Sequence, residues 1–388
     1  MPEDQLLKAQ IHSSITDIPA DGWNRLAGDN PFLQHAFFAA LEQSGCATAK
    51  TGWQPFHIQV NAEDSDAALG FMPLYVKSHS AGEYVFDHAW ANAFENAGGS
   101  YYPKLQSSVP FTPVTGARLL AGKEAPASVT PASIKRALLH AASAATLEHG
   151  LASAHITFLQ QAEAEAAEKE GYLIRTDQQF HWQNDDYSYF DDFLEQLSSR
   201  KRKQIKKERR TALGSGIEIV TLEGHEIEPE HWDAFFGFYM DTSARKWGQA
   251  YLNLDFFHRI GKTMPQNIVL MLCKLEGRYI AGALNFKSKD TLYGRYWGCV
   301  EDHPCLHFET CYYQAIDYAI KHGMKSVEAG AQGPHKLARG YSPTLTYSAH
   351  FIPNPGFKQA VATFLSHERE GVDEEVDYLK GHSPFKKQ

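Results

Sequence analysis

Four side chains in the second half of the chain are of types that move protons: Glu309, Glu328, His307 and Tyr296. A carboxyl group buried among aromatic rings has a raised pKa, which suits a general base that works near neutral pH. Structural interpretations compete with this one, because Glu309 opens a predicted helix, where the helix dipole favours a carboxylate, and His307 can be a packing residue. We expect Glu309, Glu328 or His307 to act as a base and Tyr296 or Tyr341 as an acid.

The segment VEAGAQGPHKLARGY (327–341) matches neither the helical nor the strand pattern. Its glycines allow backbone conformations that other residues rarely adopt, so the loop can turn N–H groups towards an anion. Its His, Lys and Arg side chains add positive donors, and arginine suits a bidentate contact with a carboxylate or phosphate. The alternative is a long connection between strands whose charges point into water. We predict that the following residues of this loop bind substrate: Gln332, His335, Lys336, Arg339 and Tyr341.

A second irregular segment, residues 79–116, is rich in aromatic, Gly and Pro residues. Aromatic rings beside a few polar groups are typical of a ligand cleft, although an irregular lid over a sheet would have the same composition. If the two halves of the chain face each other, this segment and the 327–341 loop would line opposite walls of one cleft. In and beside this segment we predict substrate binding by Lys77, His79, Trp90, Tyr102 and Lys104.

Residues 198–210 carry eight basic side chains and one acidic side chain in an otherwise acidic protein. On a helix, residues 200, 203, 207 and 210 share one face. Such a stripe repels itself unless something anionic meets it, so a contact with phosphates is the functional interpretation. The alternative is a solvated face neutralised by acidic residues of the same protein. The predicted polyanion contacts are Arg200, Lys201, Arg202, Lys203, Lys206, Lys207 and Arg210.

The order of predicted elements is similar in the two halves, and a length of 388 residues favours two domains. We place the division between residues 185 and 186, with a basic helix over 190–213 in the second domain. Alternating strands separated by turn residues predict an antiparallel meander over 267–300. Apolar periodicity predicts helices over 30–45, 130–149, 161–172, 190–216, 229–248 and 309–323, and a last helix near the C-terminus.

Composition limits the class of protein. The formal net charge is −9, so the chain as a whole is not built to coat nucleic acid, and we expect no DNA partner. Five cysteines without a CxxC pair favour reduced thiols and match no common zinc pattern, so no metal is predicted. The sequence shows no secretory signal and no apolar run of the ~20 residues that span a bilayer. We expect a cytoplasmic protein without a transmembrane segment.

Several long strings resemble a family of FemAB-like predicted N-acyltransferases. They include KSHSAGEYVFDHAWA (77–91), YYPKLQSSVPFTPVTGARLL (101–120), YGRYWGC (293–299), LHFETCYYQAIDYAI (306–320) and EAGAQGPHKLARGY (328–341). The resemblance implies an α/β (α+β) fold of two GNAT-like acyltransferase domains, each a mixed, mainly antiparallel twisted sheet flanked by helices. It also implies transfer of an acyl or aminoacyl group from acyl-CoA or aminoacyl-tRNA to an amine. The expected acceptors are small molecules or nucleotide-linked precursors, with cell-wall (peptidoglycan) precursors among them.

One connection departs from the pattern of acetyltransferases with this fold. These enzymes usually hold the pyrophosphate of coenzyme A on a glycine-rich turn before a helix. Here the corresponding string, VEDHPCLHFETC (300–311), has no glycine, and Glu301 and Asp302 would repel a pyrophosphate. The departure argues against coenzyme A and leaves the donor open, with tRNA as a possible partner.

Two other classes of function stay open at this level. A protein that kept the fold and lost the chemistry would bind peptidoglycan precursors or anionic polymers without turnover. An RNA-associated protein would use the basic helix alone, and its affinity would fall steeply with salt.

Overall fold

The chain folds into two compact units, as seen in a computed structural model that describes residues 7–65, 67–122, 129–247, 250–330 and 333–386. Unit 1 comprises Met1–Asp177 and Leu345–Asp373, and unit 2 comprises Gln178–Thr344 and Glu374–Gln388. The predicted domains, 1–185 and 186–388, are continuous stretches of chain, whereas the compact units return residues 345–373 to unit 1.

The strands are numbered in chain order. They are β1 (Leu7–His12), β2 (Trp53–Pro55), β3 (His57–Ala62), β4 (Ala68–Met72), β5 (Tyr75–Lys77), β6 (Lys104–Ser107), β7 (Leu120–Ala121), β8 (Ala154–Leu159), β9 (Leu173–Gln183), β10 (Glu218–Glu223), β11 (Ile268–Leu275), β12 (Arg278–Lys287), β13 (Thr291–Cys299), β14 (Ser326–Glu328) and β15 (Ser342–Phe351).

The helices are numbered in the same way. They are α1 (Ala20–Ala27), α2 (His35–Gln43), α3 (His88–Asn96), α4 (Pro131–Glu148), α5 (Gln161–Lys169), α6 (Phe190–Gln196), α7 (Ser199–Leu213), α8 (Pro229–Trp247), α9 (Leu254–Thr263), α10 (Leu306–Phe308), α11 (Gln314–Lys321) and α12 (Pro355–Gly381). A π-helical turn, Glu309–Tyr313, joins α10 to α11.

Unit 1 contains two groups of paired strands. In the first group β1, β3, β4 and β7 are antiparallel neighbours. In the second, β2, β5 and β6 are antiparallel, β6 is parallel to β8, and β8 is antiparallel to the end of β15. The connection between the two parallel strands contains α4, which begins where Thr130 caps the Ser133 amide and Pro131 occupies the first turn. Leu138 of α4 packs in one apolar cluster with Leu105 and Ile156 of these strands.

Unit 2 has one run of paired strands. β10, β11, β12 and β13 are antiparallel neighbours, so the meander predicted over 267–300 is confirmed. β13 is parallel to β14, and the connection between them contains α10, the π-helical turn and α11. β14 pairs antiparallel with the end of β9. Both units are therefore mixed, mainly antiparallel and flanked by helices, which confirms the predicted fold class.

The single basic helix predicted over 190–213 is wrong, because two helices occupy this region. α6 ends at Gln196, and α7 begins at Ser199. Between them Leu197 is extended and fully buried, and it forms an isolated bridge with Phe385, while the Ser198 amide donates to the Pro384 carbonyl at 2.9 Å. Burial of Leu197 against the distant C-terminal segment thus outweighs the helical propensity of the sequence.

Three further regions differ from the prediction. The irregular segment 79–116 contains α3 and β6, and residues Pro334–Arg339 of the glycine-rich loop form a short 3₁₀ helix. The residues between α8 and β11 also contain α9, where Asn253 caps the Phe256 amide. Within the described parts of the chain, no helix is both long and apolar enough to cross a bilayer, and no three His, Cys, Asp or Glu residues are grouped to hold a metal ion.

Candidate functional site

Strands β13 and β14 of unit 2 stay together for only three residues. Thr291–Tyr293 pairs with Ser326–Glu328, where β14 ends, whereas β13 continues to Cys299. A β-bulge lies at the point of parting, because Leu284 is opposite Tyr296 and Asn285 is opposite Gly294. Arg295 is the extra residue on β13, and a bulge of this kind redirects a side chain at the edge of a sheet.

A small hollow of about 90 Å³ opens beside the parted strands. Its walls come from β12, from β13, from the helical segment after β13 and from the residue that follows β14. Of the four predicted catalytic residues, Tyr296 and His307 line the hollow. The lining residues are Ala283, Leu284, Asn285, Gly294, Arg295, Tyr296, Trp297, His307, Cys311, Tyr312 and Ala329.

Glu328 fixes the arginine in this wall. Its Oε2 accepts from Nη2 of Arg295 at 2.9 Å, and its carbonyl oxygen accepts from Nη1 at 3.2 Å. The Arg295 side chain is almost fully buried, with 1% of its surface exposed. Two hydrogen bonds hold the guanidinium group more rigidly than one, so Glu328 positions a cation at the hollow.

Aromatic and imidazole rings form the facing wall. Tyr312 Oη and His335 Nε2 are 2.9 Å apart, and the His307 ring lies 5.4 Å from both the Tyr312 ring and the Trp297 ring. Burial lowers the pKa of His335, and the neighbouring Arg339 and Lys336 lower it further. A neutral imidazole can accept a hydrogen bond, so His335 is suited to take one from the Tyr312 hydroxyl group.

The remaining predicted residues of the loop hold it in place. Lys336 is buried and donates to the Gly330 carbonyl at 3.0 Å; burial, reinforced by Arg295, lowers the pKa of Lys336 to about 7. Arg339 is also buried and donates to Glu208 of α7 at 3.0 Å, and its guanidinium group lies 3.5 Å from the centre of the Phe308 ring. Tyr341 is fully buried. Gln332 lies outside the described residues.

Glu309 does not line the hollow. It is fully buried in the π-helical turn, where Arg209 of α7 donates to both of its carboxylate oxygens at 3.1–3.2 Å. Gln314 donates to Oε1 at 2.7 Å. These contacts give Glu309 the position of an anchor between α7 and the helical segment beside the hollow.

One face of helix α7 packs against the rest of unit 2, and the other face is exposed to solvent. Ile205 and Ala212 are buried, and Glu208 and Arg209 between them reach the elements around the hollow. Most of the predicted polyanion contacts are exposed on the rest of the helix, although Lys201 and Arg202 are half-buried and Lys206 pairs with Asp191 at 3.0 Å. The fully exposed stripe consists of Arg200, Lys203, Lys207 and Arg210.

The residues predicted in unit 1 form a separate, buried network. Lys104 is fully buried and donates to Ser80 at 2.9 Å, to Glu83 at 2.8 Å and to Asp87 at 2.5 Å. Lys77 lies opposite it on β5, with its ammonium group 3.6 Å from the centre of the Trp53 ring. Burial lowers the pKa of Lys77 to about 7, although the nearby Glu83 opposes the shift.

The other predicted residues of unit 1 surround this network. His79 is half-buried and bonds to the Thr51 carbonyl at 3.0 Å, and Tyr102 Oη lies 2.8 Å from Ser80 Oγ. Trp90 is buried in the packing of α3 on α12 and makes an edge contact with His350. The two groups of predicted residues thus lie in different units, and the shared cleft stays a prediction.

Sequence reasoning missed the central residue of the hollow. Arg295 lies in the YGRYWGC string that carried the family resemblance, but the string gave no sign of a bulge. Two glycines, Gly294 and Gly298, interrupt an otherwise aromatic strand, and glycine within a strand often marks a bulge or a close backbone approach. That signal could have identified β13 as the edge where the sheet opens.

Comparisons with known proteins agree with the fold. No curated protein sequence matches this chain. The chain is similar in structure to FemX, with a TM-score of 0.54, 13% identity and coverage of 92% of this chain and 100% of FemX. It is also similar to L-PGS from Bacillus licheniformis, with a TM-score of 0.51, 11% identity and coverage of 87% and 97%. The model of the FemAB-like family, described as peptidoglycan biosynthesis/recognition, matches residues 14–387, and the chain therefore belongs to this family.

Proposed function

We propose that this protein transfers an aminoacyl group from aminoacyl-tRNA to an amine acceptor, with a peptidoglycan precursor as the acceptor that the family description favours. The observation that carries the proposal is the hollow where β13 leaves β14, with the fixed Arg295 and the rings of His307 and Tyr296 in its walls. A cytoplasmic location, where aminoacyl-tRNA is made, is part of the same proposal.

The exposed face of α7 supports tRNA over acyl-CoA as the donor. Arg200, Lys203, Lys207 and Arg210 form a stripe that can follow a phosphate backbone. The connection before α10 offers little to a pyrophosphate, because Glu301 there is an acceptor that binds Arg278 and His303. A pyrophosphate would meet this carboxylate near the start of the helix rather than a row of glycine amides.

The chemistry needs a polarised carbonyl group and a path for one proton. The amine nitrogen attacks the ester carbon, a C–N bond forms, and the bond from that carbon to the ribose oxygen breaks. The proton lost by the amine ends on the ribose oxygen, so no proton is consumed overall. Arg295 is placed to stabilise the negative charge on the carbonyl oxygen, and His307 is placed to carry the proton. Glu328 acts through Arg295 as a positioning residue.

The test is transfer of a radiolabelled aminoacyl group from tRNA to amine acceptors, with acyl-CoA as the competing donor. We expect Arg295→Met to lower kcat by about 100-fold with little change in tRNA affinity, because the charge acts mainly in the transition state. His307→Gln is a second variant that leaves the Arg295–Glu328 pair intact. Arg278→Met, which removes a mostly exposed arginine from the neighbouring strand, is the matched control and should retain full activity.

The donor is tested by salt dependence of tRNA binding. Replacing Arg200, Lys203, Lys207 and Arg210 by Gln should reduce the slope of log K against log salt by about 3. The control variant replaces four other exposed lysines of unit 2, which are Lys262, Lys289, Lys321 and Lys325. An unchanged slope, or transfer from acyl-CoA alone, would overturn tRNA as the donor. Tight tRNA binding without any transfer would instead establish an RNA-binding protein.

A further inference from the structure

One face of the second strand group in unit 1 is polar although it is buried. Trp53, Lys77 and Lys104 are directly opposite one another on β2, β5 and β6, so their side chains lie on the same face. Gln106 is two residues further along β6 and therefore about 7 Å away on that face. His155 is its neighbour on β8. Burying such a face is costly unless its groups are paired.

Several buried polar atoms on and around this face have no hydrogen-bond partner among the described residues. Glu83 Oε1 is 3.8 Å from Lys77 Nζ, beyond hydrogen-bond distance, while the other carboxylate oxygen accepts from Lys104. Gln106 donates to Thr157 through its amide nitrogen, and its amide oxygen has no donor. The set comprises Trp53 Nε1, Tyr75 Oη, Glu83 Oε1, Asp87 Oδ1, Gln106 Oε1, Ser107 Oγ, Ser108 Oγ and Thr112 Oγ1.

Seven of these eight atoms are oxygens that can accept a hydrogen bond. Three are carboxylate or amide oxygens, which only accept, and four are hydroxyl groups, which can accept; the tryptophan N–H only donates. Each such atom left without a partner is destabilising, so buried atoms of this kind are normally met by water or by a ligand. A ligand that meets the carboxylate and amide oxygens must therefore bring hydrogen-bond donors.

The charge of the network also favours a ligand that donates hydrogen bonds. Burial raises the pKa of Glu83 to about 7, and Asp87 adds to the shift, because the pull of Lys104 does not fully compensate the lost hydration. Lys77, 3.8 Å from Oε1, also opposes the shift without cancelling it, and a donor hydrogen-bonded to Oε1 would oppose it further. The segments around the network are also strained: Tyr84 and Phe111 have positive φ angles of 61° and 63°, and such residues are common at ligand sites.

We propose that unit 1 binds a ligand with a primary amine, which donates to Glu83 and Gln106 and to the hydroxyl groups near them. A primary ammonium group has three N–H donors and no acceptor, which matches a set of oxygens without donors. Tyr102 and His79 lie at the half-buried rim of the network. The contacts that carry this inference belong to unit 1 alone, so the bound amine is not the amine that reacts at the hollow of unit 2, and the inference goes beyond the proposed function.

The test measures direct binding by titration calorimetry with the full chain and no acyl donor, so its outcome is independent of transfer. The probes are Nα-acetyl-L-lysine and glucosamine, which carry the amine on an alkyl chain or on a sugar. Each is compared with an analogue that lacks the amine, Nα-acetyl-L-norleucine or glucose. We expect at least one amine to bind about tenfold or more tightly than its analogue, a difference that an amine hydrogen-bonded to a carboxylate readily supplies.

Two variants assign the binding to this network. Glu83→Gln should weaken amine binding about tenfold or more, because it removes the charged acceptor. Glu163→Gln is the matched control, since Glu163 is another fully buried carboxylate of unit 1 whose two oxygens already accept from Arg118, Leu119 and Lys135. Amines that bind no better than their analogues, or that bind Glu83→Gln as well as the unmodified chain, would overturn the proposal. The comparison of probes decides the question even if a variant fails to fold.

Discussion

In unit 2 two arginines in and near the hollow each bind a carboxylate, whereas in unit 1 a carboxylate and an amide each have an oxygen that accepts no hydrogen bond. Arg295 binds Glu328, and Arg339 binds Glu208, in geometries that leave the charges matched. Glu83 Oε1 and Gln106 Oε1 of unit 1 accept no hydrogen bond from the described residues, although Lys77 Nζ lies 3.8 Å from Glu83 Oε1.

The two regions occupy related places in their units. In each, a strand has a parallel neighbour reached through a connection that contains a helix, with β6 and β8 in unit 1 and β13 and β14 in unit 2. The same backbone arrangement thus supports two kinds of polar site. Matched ion pairs fix side chains in position, while unmatched acceptors are suited to a partner from outside the chain.

The replacement Glu309→Gln should cost more stability than the replacement Glu83→Gln. Glu309→Gln leaves Arg209 without its main partner, and loss of one member of a buried pair costs about 3–5 kcal/mol. Glu83→Gln should cost only about 1 kcal/mol, because Lys104 keeps Asp87 and Ser80 and the desolvated charge is removed. Urea unfolding monitored by circular dichroism measures both changes.

The comparison between units would fail if Glu83→Gln were as destabilising as Glu309→Gln. The same two variants also separate an anchor from a general base at position 309. If a variant that is refolded at low temperature keeps its structure and still loses all transfer, Glu309 takes part in the chemistry. Transfer that falls only in proportion to the folded fraction supports an anchor.

The contributions of Lys336 and Glu83 to the pH dependence of stability should have opposite signs. Lys336 has a folded pKa of about 7, below the 10.5 of the free side chain, so above pH 7 the unfolded chain binds more protons and stability rises with pH. Glu83 has a folded pKa of about 7, above the usual 4.5, so stability falls between pH 4.5 and 7 as the unfolded chain releases its proton first. Each slope is at most about 1.4 kcal/mol per pH unit.

Difference measurements isolate these two contributions. Melting curves of the unmodified chain and Lys336→Met should converge in stability as the pH rises from 7 to 9, with the exposed Lys262→Met as the control. Between pH 5 and 7, Glu83→Gln should lack the decline that the unmodified chain shows. If the stability of the variant changed with pH in parallel with that of the unmodified chain in either range, the corresponding pKa shift would be contradicted.

The structural elements that depend on local sequence pattern could be predicted from the sequence. The meander β11–β13, the helix α4 and the family followed from periodicity, caps and long shared strings. The break at Leu197 depends on Phe385, and the partner of Glu309 is Arg209, 100 residues away along the chain. Contacts of that range leave no trace in a single sequence, so the break in the helix predicted over 190–213 could not be foreseen, and the catalytic role of Glu309 stays a prediction. The bulge at Arg295 could be predicted only in part, because Gly294 and Gly298 are visible in the sequence but the register of the strands is not.

The smallest effect we expect concerns the glycine-rich loop, residues 327–341, which contains Arg339. Gly330 and Gly340 both have left-handed φ angles, +77° and +89°, so alanine at either position costs about 1 kcal/mol in backbone strain. A Cβ atom at Gly330 would meet no atom within 4 Å, but at Gly340 it would lie 2.6 Å from the ring of Phe193. Gly340→Ala should therefore be less stable than Gly330→Ala by roughly a further 1 kcal/mol. It should also lower transfer more, because Arg339 next to it would no longer reach Glu208. Equal urea midpoints and equal rates for the two variants would show that the loop tolerates movement, and that the ion pairs of unit 2 do not hold it as rigidly as their geometry indicates.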